Sequence, residues 1–97
     1  MKKVIVLNVT YKCKNDMRDE FLEMIMTEGI DATSRAEEGN LKYDYYCSID
    51  DSDELLLLEK WKDADALSEH AKKEYFARLG ELKSKYVDET VIEKYEA

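Results

Sequence analysis

The sequence predicts an α+β domain in which four strands and two helical stretches alternate as β-α-β-β-α-β over an antiparallel sheet. Three observations predict it. A run rich in β-branched residues opens the chain at residues 3–11. An amphipathic stretch with helical spacing follows it. Two strand-like stretches then flank the acidic turn Asp50-Asp51-Ser52-Asp53, the pattern of a hairpin. With no proline, repeat or low-complexity tract, residues 1–97 read as one domain.

Each element has its own local reason. Lys3-Val4-Ile5-Val6-Leu7-Asn8-Val9-Thr10-Tyr11 favours a pleated strand. Asn15 and Asp16 are suited to cap a helix. Met17, Phe21, Met24, Ala32 and Ala36 give that helix an apolar face from about 16 to 36, with Gly29 weakening its middle. Gly39 stands past its end, where a left-handed closing residue is wanted. Residues 41–49 alternate Leu41, Tyr43, Tyr45, Cys47 and Ile49 against Lys42, Asp44, Tyr46 and Ser48, and residues 54–62 return as the hairpin partner. Asp63 can cap the next helix, whose buried face is Ala64, Leu67 and Ala71. After a break near residues 71–74, Tyr75, Phe76, Leu79, Leu82 and Tyr86 continue the helical pattern, and residues 87–95 return to strand. This is the order of the ferredoxin-like split βαβ unit.

A single such domain covers one sheet face with helices and wets the other. Yet Val4-Ile5-Val6-Leu7 and Leu55-Leu56-Leu57-Leu58 do not alternate. Leaving those leucines in water forgoes about 1.5–3 kcal/mol each. A homodimer packed through the sheet face is therefore expected.

Composition narrows the partners. A formal charge of −8 on 97 residues argues against nucleic acid and anionic membrane surfaces, because no basic stripe is present to release counterions. With 44% hydrophobic and 39% charged residues the composition is globular. No apolar run approaches about 18 residues, and the Met1-Lys2-Lys3 start leads into no cleavage-like site. A cytoplasmic location is expected. Cys13 and Cys47 match no metal spacing and read as two reduced thiols, with a disulfide between them as the alternative; the single His70 leaves a transition metal few ligands, so no metal is expected.

The rarest side chains lie close together. Trp61, the only tryptophan, ends a buried strand, and His70, the only histidine, follows on the next helix. Each is an apolar ring with a hydrogen-bonding handle, which suits a small aromatic ligand. Trp61 also shares a strand face with Leu55, Leu57 and Glu59, the ordinary position of a core filler. His70 falls three residues after Leu67, where it also caps a core edge.

Glu38-Gly39 before the second strand, Glu59-x-Trp61 ending the third, Ala66-Leu67-x-x-His70 in the helix and Tyr75-Phe76 after it resemble the antibiotic biosynthesis monooxygenase family over nearly the whole chain. Where that family often has a Lys-Pro-Gly-like turn, this chain has Lys12-Cys13-Lys14-Asn15-Asp16, a structural departure. The resemblance implies a dimeric α+β barrel with a pocket between helices and sheet in each subunit. It also implies, for some members, oxygenation of phenols or hydroquinones by dioxygen without flavin, haem or metal.

Such chemistry needs a substrate that becomes its own reductant once deprotonated, and a dry pocket that stabilises the oxyanion. His70 is of the one type whose ordinary pKa, about 6.5, suits the proton transfer. Trp61 and Asn8 are neutral donors, and the resemblance implies a strand-one Asn, a Trp and a helix His around the pocket. Asn8 interrupts an apolar strand, on the face of Val4, Val6 and Thr10; unpaired burial there costs about 1–3 kcal/mol. These three are the catalytic candidates. Tyr43, Tyr45, Tyr75 and Phe76 are candidate substrate-binding walls, or core and interface residues. Glu59 either orients His70 or pairs with a charge.

The leading expectation is a cofactor-independent monooxygenase acting on a small quinol or phenol with molecular oxygen. Two alternatives stand beside it. One is an isomerase or lyase acting on a small phosphorylated signalling molecule, with Arg35, Arg78 or Lys73 as phosphate ligands. The other is a non-catalytic ligand-binding dimer.

Overall fold

The computed structural model describes residues 2–97. The chain runs β1 (Ile5–Cys13), α1 (Arg18–Thr27), α2 (Ile30–Arg35), β2 (Asn40–Cys47), β3 (Glu54–Trp61), α3 (Ala64–His70), α4 (Glu74–Tyr86) and β4 (Val87–Glu96). The strands form one antiparallel sheet in the order β2-β3-β1-β4. This is the expected ferredoxin-like α+β fold.

Strand alternation sets which residues meet the helices. Along β1, Ile5, Leu7, Val9, Tyr11 and Cys13 are buried, as are Leu55, Leu57, Glu59 and Trp61 along β3. Apart from Glu59, they form the core with Phe21 and Ile25 of α1, Ile30 of α2, Tyr43 of β2, and Leu79, Leu82 and Tyr86 of α4. Tyr11 meets Phe21 edge to face with ring centroids 5.4 Å apart.

Several local expectations are corrected. The helix expected over 16–36 is two helices, because Gly29 adopts φ 71° and ends the first. The break resets the helical phase: Ile30 and Ser34 enter the core while Ala32 and Ala36 are exposed. Neither Asn15 nor Asp16 caps α1. Asp16 takes φ 60° and donates its backbone N–H to Asp53, and Met17 occupies the cap without a side-chain bond. Gly39 is not left-handed; its role is close approach, described below. On β2 only Tyr43 and Tyr45 turn inward. A register shift between Asn40 and Lys42 leaves Leu41 exposed, while Cys47, at the far end of this edge strand, and Ile49 beyond it are exposed as well. Asp63 does cap α3, its Oδ1 accepting the Ala66 N–H at 2.8 Å.

The helix-free face presents Val6, Leu56 and Leu58, half-buried, with Tyr46, Val91 and Tyr95 exposed beside them. Within one chain, therefore, only one face of the sheet is buried. Among the described residues no helix is long and apolar enough to cross a membrane.

Candidate functional site

His70 ends α3, and its position follows from a glycine in a different turn. The α2–β2 turn lies against α3, and Lys62 donates its N–H to the Gly39 carbonyl at 2.9 Å. A Cβ on Gly39 would sit 2.3 Å from the Ala66 Cβ, so only glycine permits that approach. The turn carries Glu37, whose carboxylate Oε2 lies 2.6 Å from His70 Nδ1. The Tyr75 hydroxyl donates to the same oxygen. Both members of the pair are withdrawn from water, with 3% and 10% of their side chains exposed.

An ionised carboxylate only accepts hydrogen bonds, so the shared oxygen draws the imidazole proton to Nδ1. In the neutral ring this leaves Nε2 as the basic nitrogen.

Aromatic rings hold the imidazole from several sides. Their centroids lie 4.6 Å away for Trp61, 5.3 Å for Phe76, 5.7 Å for Tyr43 and 6.0 Å for Tyr75. The Trp61 indole N–H donates to Glu59 Oε1 at 3.0 Å. Burial raises the pKa of the Glu59 carboxyl above its ordinary value; the Trp61 bond and His70 oppose the rise, and Glu37 adds to it. Burial, with Glu59 nearby, pushes the Tyr43 phenol up to about 12. Burial and then the bond to Glu37 raise Tyr75. Tyr45 is raised by burial, and its hydroxyl is shut away from water with no partner within hydrogen-bonding geometry among the described residues.

Next to these groups is a cavity of about 210 Å³ between α3, α4 and the sheet. Leu7, Val9 and Tyr11 of β1 form its floor, with Thr90 and Ile92 of β4. Leu67 and His70 of α3, Ala71 just past its end, and Phe76, Leu79, Gly80 and Lys83 of α4 form its roof. Glu59 and His70 are the acid and the imidazole that line it. A mostly apolar cavity with two proton-exchanging groups is able to hold a small aromatic molecule and move a proton on it.

The expected site residues divide into three groups. His70 and Phe76 line the cavity. Trp61, Tyr43 and Tyr75 stand behind its lining, packed on His70. Tyr45 packs on Tyr43, one step further away. Asn8 is the correction. Because Leu7 and Val9 face the helices, Asn8 between them faces the opposite side of the sheet, paired with Leu58 and Glu93. Asn8, Trp61 and His70 thus share no cavity within one chain.

Glu37 was missed by the sequence reading, although Glu37-Glu38-Gly39 carried the signal in its glycine. The cations considered for phosphate lie elsewhere. Arg78 is paired bidentately with Glu28 at 2.7 and 2.8 Å, and Arg35 bonds the Tyr43 carbonyl at 2.8 Å. Lys73, with Lys2 and Lys62, lines a separate open groove in which Glu37, Glu38, Asp63, Asp65 and Glu69 outnumber them, a poor setting for an anion.

The model of the antibiotic biosynthesis monooxygenase family matches residues 4–81. A Bacillus subtilis (strain 168) relative named "Putative monooxygenase YcnE" is 37% identical over 73 residues, 75% of this chain and 75% of that protein. Among solved structures, a conserved protein of Bacteroides thetaiotaomicron superposes with a TM-score of 0.88 at 28% identity, covering 100% of both chains. PA3566 from Pseudomonas aeruginosa superposes with a TM-score of 0.85 at 28% identity, covering 100% of this chain and 96% of that one.

Proposed function

The chain belongs to the antibiotic biosynthesis monooxygenase family, and from that premise we propose that it oxygenates a small quinol or phenol with molecular oxygen, without a bound cofactor. The observation that carries the reading is the apolar cavity lined by both His70 and Glu59, with His70 held through Nδ1 by Glu37.

The steps follow from ordinary phenol chemistry. His70, through Nε2, takes the hydroxyl proton, and the resulting phenolate is a far better electron donor than the phenol. One electron passes to dioxygen, and the radical pair joins as a C–O bond ortho or para to the hydroxyl. Loss of water from the hydroperoxide then leaves a quinone. The balance is phenol plus dioxygen to quinone plus water, so the substrate supplies all four electrons. Glu59, kept protonated more readily by burial, is suited to hand a proton to the departing oxygen.

Oxygen uptake with a panel of hydroquinones and phenols tests this on wild type, His70→Ala and His70→Gln, with circular dichroism to verify folding. Loss of the imidazole is expected to slow uptake by about 10²–10⁴-fold. No uptake with any substrate, from a folded wild type, sinks the reading.

The same reading includes a homodimer through the sheet face, supported by Val6, Leu56, Leu58, Tyr46, Val91 and Tyr95 gathered on the helix-free side. Asn8 then becomes a polar residue of that interface. Sedimentation at micromolar concentration should give twice the 11.4 kDa chain mass, and Leu58→Asp should halve it. A wild-type monomer refutes the dimer. Two free thiols, Cys13 buried and Cys47 exposed, support a reducing, cytoplasmic setting.

A further inference from the structure

The cavity is polarised along its length. At one end, beside Leu7, Glu59 and His70 supply the acid and the base. At the other, beside Tyr11 and its β4 neighbour Thr90, Lys83 reaches in from α4, with Nζ 5.6 Å from the centroid of the Tyr11 ring. Leu7 and Tyr11 are four residues apart on one strand, about 13 Å of backbone at about 3.3 Å per residue.

Lys83 is the cavity's cation and has no carboxylate within ion-pair distance among the described residues. The nearby Glu89 is engaged by Lys12 at 3.6 Å. The Lys83 Nζ lies over the Tyr11 ring, so the charge stands at the cavity wall.

We propose that this cavity selects a single-ring phenol bearing a carboxylate on the side remote from its hydroxyl, with Lys83 pairing the carboxylate and the hydroxyl meeting His70 and Glu59. The inference rests on the cavity being the substrate pocket, as in the proposed function. Size guides the choice of ligand: a cavity of about 150 Å³ takes up benzene, so about 210 Å³ suits one substituted ring. Chemistry limits it further. Between its polar ends the cavity offers Leu7, Val9, Leu67, Phe76 and Leu79, which leave the hydroxyls of a sugar-like phosphate without partners. A lysine whose one partner among the described residues is an aromatic face favours an anion at the far end, because a charge-assisted bond partly shielded from solvent is stronger than one fully exposed to it.

The test compares 4-hydroxyphenylacetate with its neutral amide, 4-hydroxyphenylacetamide. Binding is followed by calorimetry and by the NMR shift of the Trp61 indole proton under nitrogen, so that turnover does not enter. Wild type and Lys83→Arg should bind the acid at least about fivefold more tightly than the amide. Lys83→Gln should bind the acid and the amide equally. Equal affinities in wild type, a preference that survives Lys83→Gln, no saturable binding of either probe, or displacement of the acid by ribose 5-phosphate each overturns the proposal. Failure of the oxygenase reading is separate. It appears as charge-selective binding without oxygen uptake, whereas oxygen uptake with neutral phenols alone overturns only the carboxylate selectivity.

Discussion

Glu37 and His70 stand 33 residues apart in sequence, and their side chains meet at 2.6 Å with the Tyr75 hydroxyl donating to the same carboxylate oxygen. One carboxylate therefore fixes two groups at the edge of the cavity, the imidazole and a phenol.

Removing that carboxylate should separate positioning from stability. Glu37→Ala leaves a buried imidazole nitrogen and the Tyr75 hydroxyl unpaired and should cost about 1–3 kcal/mol in urea unfolding. Glu37→Gln keeps an acceptor and should unfold nearer to wild type, yet lower kcat more than it raises KM, because the amide holds the His70 tautomer less firmly. Equal kcat in wild type and Glu37→Gln would remove Glu37 from the mechanism.

Gly39 makes the pair geometrically possible. Gly39→Ala places a methyl 2.3 Å from the Ala66 Cβ, neither of which has rotamer freedom to move aside. The turn must lift off α3, at a cost of about 1–3 kcal/mol. Oxygen uptake should fall along with stability, and an Ala66→Gly change in the same chain should restore part of both.

Glu59 predicts a pH dependence of stability. Its pKa is raised by burial in the folded chain, so above the ordinary value near 4.5 the unfolded chain releases this proton more readily than the folded one. The Glu59 contribution is therefore complete below the ordinary pKa and is lost as pH rises through the folded value. Glu59→Gln, whose amide oxygen still accepts the Trp61 N–H, should show a flatter stability profile from weakly acid to neutral pH. At neutral pH it should be more stable than wild type. Parallel profiles for the two proteins, measured by urea unfolding, would exclude the effect.

Tyr45 predicts a stabilising substitution. Among the described residues its buried hydroxyl has no partner within hydrogen-bonding geometry, although the Tyr43 hydroxyl is close by. Tyr45→Phe keeps the ring and its edge contact with Tyr43 while removing the unpaired group. A gain of about 1 kcal/mol in thermal or urea unfolding is expected, with oxygen uptake unchanged because Tyr45 does not line the cavity. A loss of stability would mean that the hydroxyl is paired in solution.

The strands and the α3 cap were legible because they depend on short-range properties. Alternation places Leu7 and Val9 on one face and Asn8 on the other, and Asp63 reaches an N–H three residues on. The same alternation did not say which face carries the helices, and that choice decides whether Asn8 shares a cavity with His70. The break at Gly29 was visible only as a weak point. Its consequence, Ile30 and Ser34 replacing Ala32 and Ala36 in the core, depends on how the second helix packs.

By itself, the sequence determined the order of elements, the antiparallel hairpin and the family, since each is carried by local spacing and residue type. Only the tertiary structure decided which groups act together. It joined Glu37 to His70 across the α2–β2 turn, sent Asn8 to the opposite face, and placed Lys83 at the far end of the His70 cavity. The physical reason is that hydrogen bonds and ion pairs act over a few ångströms, while the residues forming them are brought together by packing between elements far apart along the chain.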